Sequence, residues 1–429
     1  VTATSIDARA EARSSMTLRE VRSRGRLRGA LGLLGPAFVA SVAYVDPGNF
    51  ATNFAGGAEH GYALLWVIVM ANLMAVLIQY LTSKAGLSTG RSLPELCRER
   101  YGRRVNMLLW LQAEVIAMAT DLAEFVGAAV GLNLIFGIPL FMAGLITAVV
   151  AFVILALQQR GYRRFELAVI ALLALIGLGF LYLFFAAGGQ HYGQLAGGLV
   201  PHLGGGDTLS LTVGIIGATV MPHVVYLHSA LQKNRIKAAD KLERRSLLTW
   251  NMRDCFLGLG IAGLINMAML CIAAAVFHKP GLTGISELGA VYAHLGTLAG
   301  GGAALAFGIA LMASGLSSSS VGTYAGQVVM AGFMNWHIPL IARRALTMLP
   351  SLVVLALAVN TSQALIYSQI VLSLGIPFAI IPLLLITRDR GTMTDMTNRR
   401  LTSILMLMTT VIITSLNLYL LYAAITGVL

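Results

Sequence analysis

Two short stretches of the chain place polar and helix-breaking residues inside membrane-length apolar segments. In AYVDPGNFATNF, a carboxylate (Asp46), a proline (Pro47), a glycine (Gly48) and an amide (Asn49) interrupt a run that is largely apolar from Leu31 to Val45. In GATVMPHVVYLHS, Pro222 follows the thioether of Met221, with Gly217 and Ala218 upstream and His223 and His228 downstream. Proline removes a backbone donor and frees a carbonyl about four residues back. Those positions are Ala43 and Ala218. A carboxylate, an amide oxygen, a thioether and freed carbonyls make a ligand set for a cation, and Asp46 would repel an anion. Oxygen ligands alone suit sodium, magnesium or calcium, whereas a thioether is accepted by transition metals and ignored by hard cations. The chain has 18 Met, and most methionines fill gaps between helices. Met221 is read as a ligand because it adjoins a break and stands opposite Asp46.

A second group of residues could handle protons. Glu114, Asp121 and Glu124 lie in one apolar segment. Helical geometry returns 114 and 121 to nearly the same face, with 124 about 60° away. Charges at bilayer depth are costly and point to function. One reading is a proton relay, and the other is a set of structural ion pairs with Arg343 and Arg344. His223 and His228 are about 140° apart on a helix, so they cannot grip one metal together and read as hydrogen-bonding or proton-handling groups. Asn72, Gln79 and Asn266 read as helix-to-helix hydrogen bonding or as the lining of a water path. The small, hydroxylated run GLSSSSVGTYAGQ reads as close helix packing.

The elements that must position these groups follow from composition. Of 429 residues, 57% are hydrophobic and only 11% charged, against about 25% charged in soluble domains. Apolar runs of spanning length occur at roughly 30–57, 62–86, 106–134, 139–158, 164–187, 208–231, 254–277, 302–328, 344–360, 362–386 and 401–426. With the N-terminus inside, 29 of the 30 Lys and Arg fall in the tail and the even-to-odd loops, and Lys279 alone falls outside. The positive-inside rule thus supports eleven spans with the C-terminus outside. The net charge of +12 is then a topology signal near anionic lipid and not a nucleic-acid surface. Residues 1–28 lack the apolar core of a cleavable signal and read as a disordered basic cytoplasmic tail. The three cysteines, Cys97, Cys255 and Cys271, fit no disulfide or zinc spacing. The two interrupted spans, first and sixth, are five apart and so cross in opposite directions. Paired interruptions of this kind point to an inverted-repeat transporter with its site at the midplane.

On the motifs DPGN (46–49), GATVMPH (217–223) with YLHS (226–229), TDLAEFVG (120–127) and GTYAGQVVM (322–330), the chain resembles the Nramp family of proton-coupled divalent transition-metal transporters. The resemblance implies an all-α polytopic membrane protein of LeuT-like fold. Its parts would be a tail over 1–29, inverted five-helix repeats over 30–187 and 208–386, and an eleventh helix over 401–429, with helices 1 and 6 unwound at mid-membrane. It implies import of Mn²⁺ and Fe²⁺, with Cd²⁺, Co²⁺ or Zn²⁺ also carried, driven by protons across the plasma (inner) membrane, with no enzymatic activity and no cofactor. Carried across by motif, Asp46, Asn49, Met221 and the Ala218 carbonyl would hold the metal, and Ala43 and Gln369 would contribute in some conformations. Asp46, His223, Asp121, Glu124, Arg343 and Arg344 would form the proton pathway. Two departures stand out: Leu316 where many relatives have Gln, and Ala331 where many have Glu. Both bear on rate or gating more than on substrate. A sodium-coupled amino-acid carrier of the same fold would have no use for Asp46, and a magnesium-type relative would be expected to lack Met221. An intramembrane metalloenzyme would need several converging His, Asp or Glu ligands.

Overall fold

A computed structural model of the chain describes residues 16–23, 25, 29, 32–159, 162–201, 206–233, 235–279, 287–336, 338–357 and 360–426. In chain order the elements are β1 (Met16–Thr17), α1 (Leu18–Ser23), α2 (Pro36–Ala43), α3 (Pro47–His60), α4 (Leu65–Thr89), α5 (Leu93–Arg100), α6 (Arg103–Phe136), α7 (Leu140–Gln159) and α8 (Tyr162–Ala187). They continue as α9 (Tyr192–Gly198), α10 (Gly206–Thr219), α11 (Pro222–Gln232), β2 (Ile236–Lys237), α12 (Lys241–Phe277), α13 (Leu288–Leu298), α14 (Gly301–Met334), α15 (Leu340–Ala356), α16 (Thr361–Arg388), α17 (Arg390–Met393) and α18 (Arg400–Thr426).

Each of the eleven predicted spans is present. The first is split into α2 and α3 at Tyr44–Asp46, and the sixth into α10 and α11 at Val220–Met221. Among the described residues, eight stretches are long and apolar enough to cross a bilayer by themselves. The other three predicted spans are the broken α2–α3 pair, α7 and the short α15. α15 begins four residues earlier than the predicted span, which brings Arg343 and Arg344 inside the helix and buries both. The charge pattern expected both at the loop between the eighth and ninth spans or its helix ends, and they lie in the first two turns of α15.

Contacts between connecting segments support the alternation of the spans. On the face that carries the N-terminus, Arg100 meets Asp389 at 3.2 Å, Arg244 meets Asp395 at 3.2 Å, and Lys233 meets Glu95 at 3.0 Å. Burial pushes the Glu95 carboxyl up, but the Ser92 backbone N–H and the Lys233 ammonium outweigh it and hold Glu95 below the usual carboxylate range. On the opposite face, the Tyr62 hydroxyl donates to Gln190 Oε1 at 2.9 Å, and Ser362 Oγ accepts from the Leu288 N–H at 3.0 Å. Segments predicted to share a side of the membrane do meet. The core is a single apolar cluster running through the bundle. Its longest seam joins α6 to α14, where Gly131 faces Met312 and Gly315 faces Glu124 and Ala128 so closely that a Cβ on either glycine would collide.

The expectation of a disordered tail over 1–29 needs correction at residues 16–23; residues 1–15 lie outside the described part. Met16 and Thr17 pair in parallel with Ile236 and Lys237, and Leu18 and Val21 are buried against Leu33, Ile236 and Leu247. The apolar pair at i and i+3 gives a one-turn helix a buried face, a signal masked by the surrounding arginines. Burying a leucine contributes about 1.5–3 kcal/mol. Leu18→Asp should therefore undock this segment, read as faster tryptic cleavage at Arg19 with unchanged helical content by circular dichroism. Equal cleavage rates for variant and parent would refute the docking.

Candidate functional site

The site forms where the two breaks meet. Asp46 is the N-cap of α3, and its Oδ1 accepts from the Asn49 backbone N–H at 2.8 Å and from Asn49 Nδ2 at 2.7 Å. The same Asn49 amide donates to the Ala218 carbonyl at 3.0 Å. Pro222 has no N–H for that carbonyl, so the oxygen freed in one broken helix is taken by a side chain from the other. Two further carbonyls of the first break are also taken within the protein, in keeping with what a bilayer requires. Asn266 Nδ2 donates to the Tyr44 carbonyl at 2.8 Å, and Ser314 Oγ donates to the Val45 carbonyl at 2.6 Å. Asn53 Nδ2 in turn holds Asn266 Oδ1 at 3.0 Å.

Glycines let a third helix reach the breaks. A Cβ on Gly48 would collide with the Gln369 side-chain amide, and one on Gly217 with the Gln369 carbonyl and Ser373. Gln369 of α16 is thus seated against both interruptions. Asp46, Asn49, Ala43, Ala218, Met221 and Gln369 are all at most 1% exposed. Three oxygens among them, Asp46 Oδ2, Asn49 Oδ1 and Gln369 Oε1, are buried without a hydrogen-bond partner. Such acceptors are costly in a protein interior and suit a cation. The carbonyl ends of α2 and α10 also point to the breaks and carry partial negative charge. Among the described residues no group of three His, Cys, Asp or Glu is gathered for a metal. One carboxylate with neutral donors is a weak grip, fit for an ion that must leave again.

Both ways out are packed. One and two turns along α3, Phe50 stacks edge-on to Phe180 at 5.1 Å and Phe54 to Phe307 at 5.1 Å. Towards the N-terminal face, the Tyr44 hydroxyl accepts from Gln79 Nε2 at 2.6 Å, and Gln79 Oε1 lies 2.9 Å from His228 Nδ1. Beyond them the Asp254 carboxylate accepts from the N–H groups of Gly35 and Ala37, each at 2.9 Å, at the start of α2. Arg235 Nη2 donates to the Leu34 carbonyl at 3.2 Å and pairs with Glu166 at 3.3 Å. Sequence reading passed over Asp254 and Glu166 because both fall at the ends of the predicted spans 254–277 and 164–187, where a charge looks ordinary, although Asp254 lies well inside α12.

The two histidines face different helices, as their spacing predicts. His223 Nδ1 lies 3.2 Å from Thr120 Oγ1, next to Asp121 on α6. Asp121 and Glu124 are buried, and both lie within the field of Arg344. Glu114 is instead tied up structurally, with Arg343 Nη2 at 2.8 Å and Trp110 Nε1 at 3.2 Å. Arg344 donates to the Ser319 carbonyl at 2.9 Å, to Ser319 Oγ at 2.5 Å and to the Thr323 hydroxyl. The hydroxylated run of α14 therefore seats a buried arginine as well as allowing close packing. Asn72, read as helix-to-helix hydrogen bonding or the lining of a water path, packs against Gly263, with its Oδ1 unpartnered.

Residues 37–423 match the Nramp family, described as natural resistance-associated macrophage protein-like. The chain is 48% identical over 417 residues to the divalent metal cation transporter MntH of Deinococcus radiodurans, covering 97% of this chain and 95% of that one. It is 45% identical to MntH of Bacillus subtilis over 399 residues, covering 92% and 94%. Among solved structures, a mutant of the Eremococcus coleocola manganese transporter superposes with a TM-score of 0.85 at 32% identity, covering 96% of this chain and 92% of that one. The nucleobase-cation symporter Mhp1 aligns with a TM-score of 0.58 at 16% identity, covering 90% and 91%. That likeness shows the fold alone: the LeuT-like arrangement of inverted repeats.

Proposed function

The chain belongs to the Nramp family, and from that premise we propose that it carries divalent transition metals, Mn²⁺ and Fe²⁺ foremost, across the plasma membrane by alternating access between its two faces. The bias of basic residues to the connecting segments on one face supports a cytoplasmic N-terminus and an outside C-terminus, and a proton gradient directed inward would make net movement import. The observation that carries this reading is the Asn49 amide bridging Asp46 Oδ1 and the Ala218 carbonyl. It joins Asp46 of the first broken helix to the Ala218 carbonyl of the second, with Gln369 packed against both interruptions and Met221 buried three residues past Ala218. A turn of that amide would present Asn49 Oδ1 to a cation. Among the described residues no group of three His, Cys, Asp or Glu, as hydrolytic metal chemistry would need, is gathered at the breaks.

Protons are the proposed driving ion. A divalent charge arriving beside Asp46 favours its ionised form, so a proton leaves as the metal binds. His223, the second residue of α11, touches Thr120, and from there Glu124 and Asp121 of α6 and Arg344 of α15 offer the proton a buried route towards the cytoplasm. Proteoliposomes loaded with a pH-sensitive dye should acidify during Mn²⁺ uptake. Asp121→Asn should cut the acidification several-fold while Mn²⁺ binding in detergent persists. Uptake with no dye signal, and indifferent to an imposed proton gradient, would refute the coupling.

A further inference from the structure

We propose a second divalent-metal site, outside the transport site, at the far end of α3, formed by the imidazoles of His60 and His278. A cleft of about 360 Å³ on the face opposite the N-terminus is lined by His60, Gly61, Tyr62, Ala63, Gln194 and His278, among others. His278 Nδ1 lies 3.1 Å from the Ala58 carbonyl. Donation there fixes the proton on Nδ1 and leaves Nε2 bare, which is how metal-binding imidazoles are usually oriented. The bare nitrogen is close to the α3 terminus, 3.3 Å from where a Cβ on Gly61 would stand. His60 Nε2 is sheltered from solvent and has no hydrogen-bond partner. Glu59 Oε2 lies 4.0 Å from that nitrogen and adds negative charge beside it. The C-terminal carbonyls of α3 add negative potential for a cation.

Two imidazoles completed by water make an open and labile site. Its chemistry differs from that of the transport site. Imidazole favours zinc, cobalt, nickel and copper, and manganese stands lowest in the first-row affinity order. Zn²⁺ is therefore the expected occupant and Mn²⁺ a poor one. The ion would join His60, at the end of the helix that begins with Asp46 and Asn49, to His278, which caps α12. It would restrain α3 about 21 Å from the transport site, so Zn²⁺ should slow Mn²⁺ uptake by more than competition at Asp46 explains.

The test uses the full chain in detergent, with Zn²⁺ alone as the probe, and does not depend on transport. Asp46→Ala disables the transport site, and calorimetry should still find one Zn²⁺ site. Adding His60→Gln or His278→Gln should weaken that binding at least tenfold, with unchanged elution by size exclusion. Should Asp46→Ala aggregate, the otherwise wild-type chain carries the same test, each histidine variant removing one of two Zn²⁺ sites. No Zn²⁺ binding beyond the transport site, or binding that neither histidine variant weakens, would overturn the proposal. In liposomes, either single histidine variant should keep Mn²⁺ uptake and lose the non-competitive part of Zn²⁺ inhibition, and inhibition unchanged in both would also overturn it.

Discussion

Asp46→Ala should abolish Mn²⁺ uptake into proteoliposomes and leave the protein folded. Among the described residues of the two breaks, 44–49 and 218–223, Asp46 is the one carboxylate, and the other proposed donors are neutral. At an effective dielectric of about 20, a carboxylate and a divalent cation about 2.5 Å apart attract by on the order of 10 kcal/mol before desolvation is counted. Forfeiting even a seventh of that is a tenfold loss of affinity. The fold loses much less, because Asp46 also caps α3 through the Asn49 N–H, and losing a cap costs about 1 kcal/mol. Asp46→Asn separates the two effects. It keeps an oxygen for the cap and discards the charge, so it should melt close to the parent temperature and still fail to take up Mn²⁺. Uptake near the parent rate in either variant would remove Asp46 from the site.

Met221→Ala should change which ions pass more than whether they pass. Met221 is fully buried as the residue that precedes α11. Ca²⁺ takes six to eight oxygens, and Mg²⁺ wants a near-octahedral oxygen shell. A thioether fills one coordination position and returns almost nothing to either ion, whereas Mn²⁺, Fe²⁺ and especially Cd²⁺ lose less or gain. The sulfur would thus select by penalising the wrong cation. Replaced by water, the position becomes acceptable to all of them. The variant should keep reduced Mn²⁺ uptake, lose more affinity for Cd²⁺, and begin to carry Ca²⁺ or Mg²⁺. About 1.4 kcal/mol of differential is a tenfold shift in the affinity ratio, within reach of competition assays. A variant that carries Mn²⁺ and rejects Ca²⁺ as strictly as the parent would return Met221 to packing.

The spans, their alternation and the two breaks were legible because each rests on a local rule: apolar length, the side on which basic residues fall, and what proline does to a helix. Asp46, Asn49, Met221 and the Ala218 carbonyl could be named for the same reason. The bridge from Asn49 to Ala218 could not, because it joins residues 169 positions apart. Nor could the satisfaction of the Tyr44 and Val45 carbonyls by Asn266 and Ser314. A free carbonyl is predicted by a proline, but its partner is set by packing. The acidic stripe of α6 was visible as periodicity, yet its division was not: Glu114 is bound to Arg343 whereas Asp121 and Glu124 are not paired within 4.0 Å among the described residues. The docked segment at 16–23 was hidden because arginine-rich composition outweighed two apolar residues one turn apart.

Helix α2 spans only Pro36–Ala43, which makes it a lever arm of about 12 Å. Its fulcrum is the break at Tyr44–Asp46, and its free end is pinned by Asp254 on the N–H groups of Gly35 and Ala37. For each 10° or so of swing that end travels only about 2 Å. An arm this short needs a wide angle to clear a path for an ion. Hydrogen bonds at 2.9 Å are lost long before such an angle, within about 1 Å of stretch. Opening on this side is therefore an unclasping and not a gradual bend: the lever stays shut until Asp254 releases both bonds and Arg235 releases the Leu34 carbonyl.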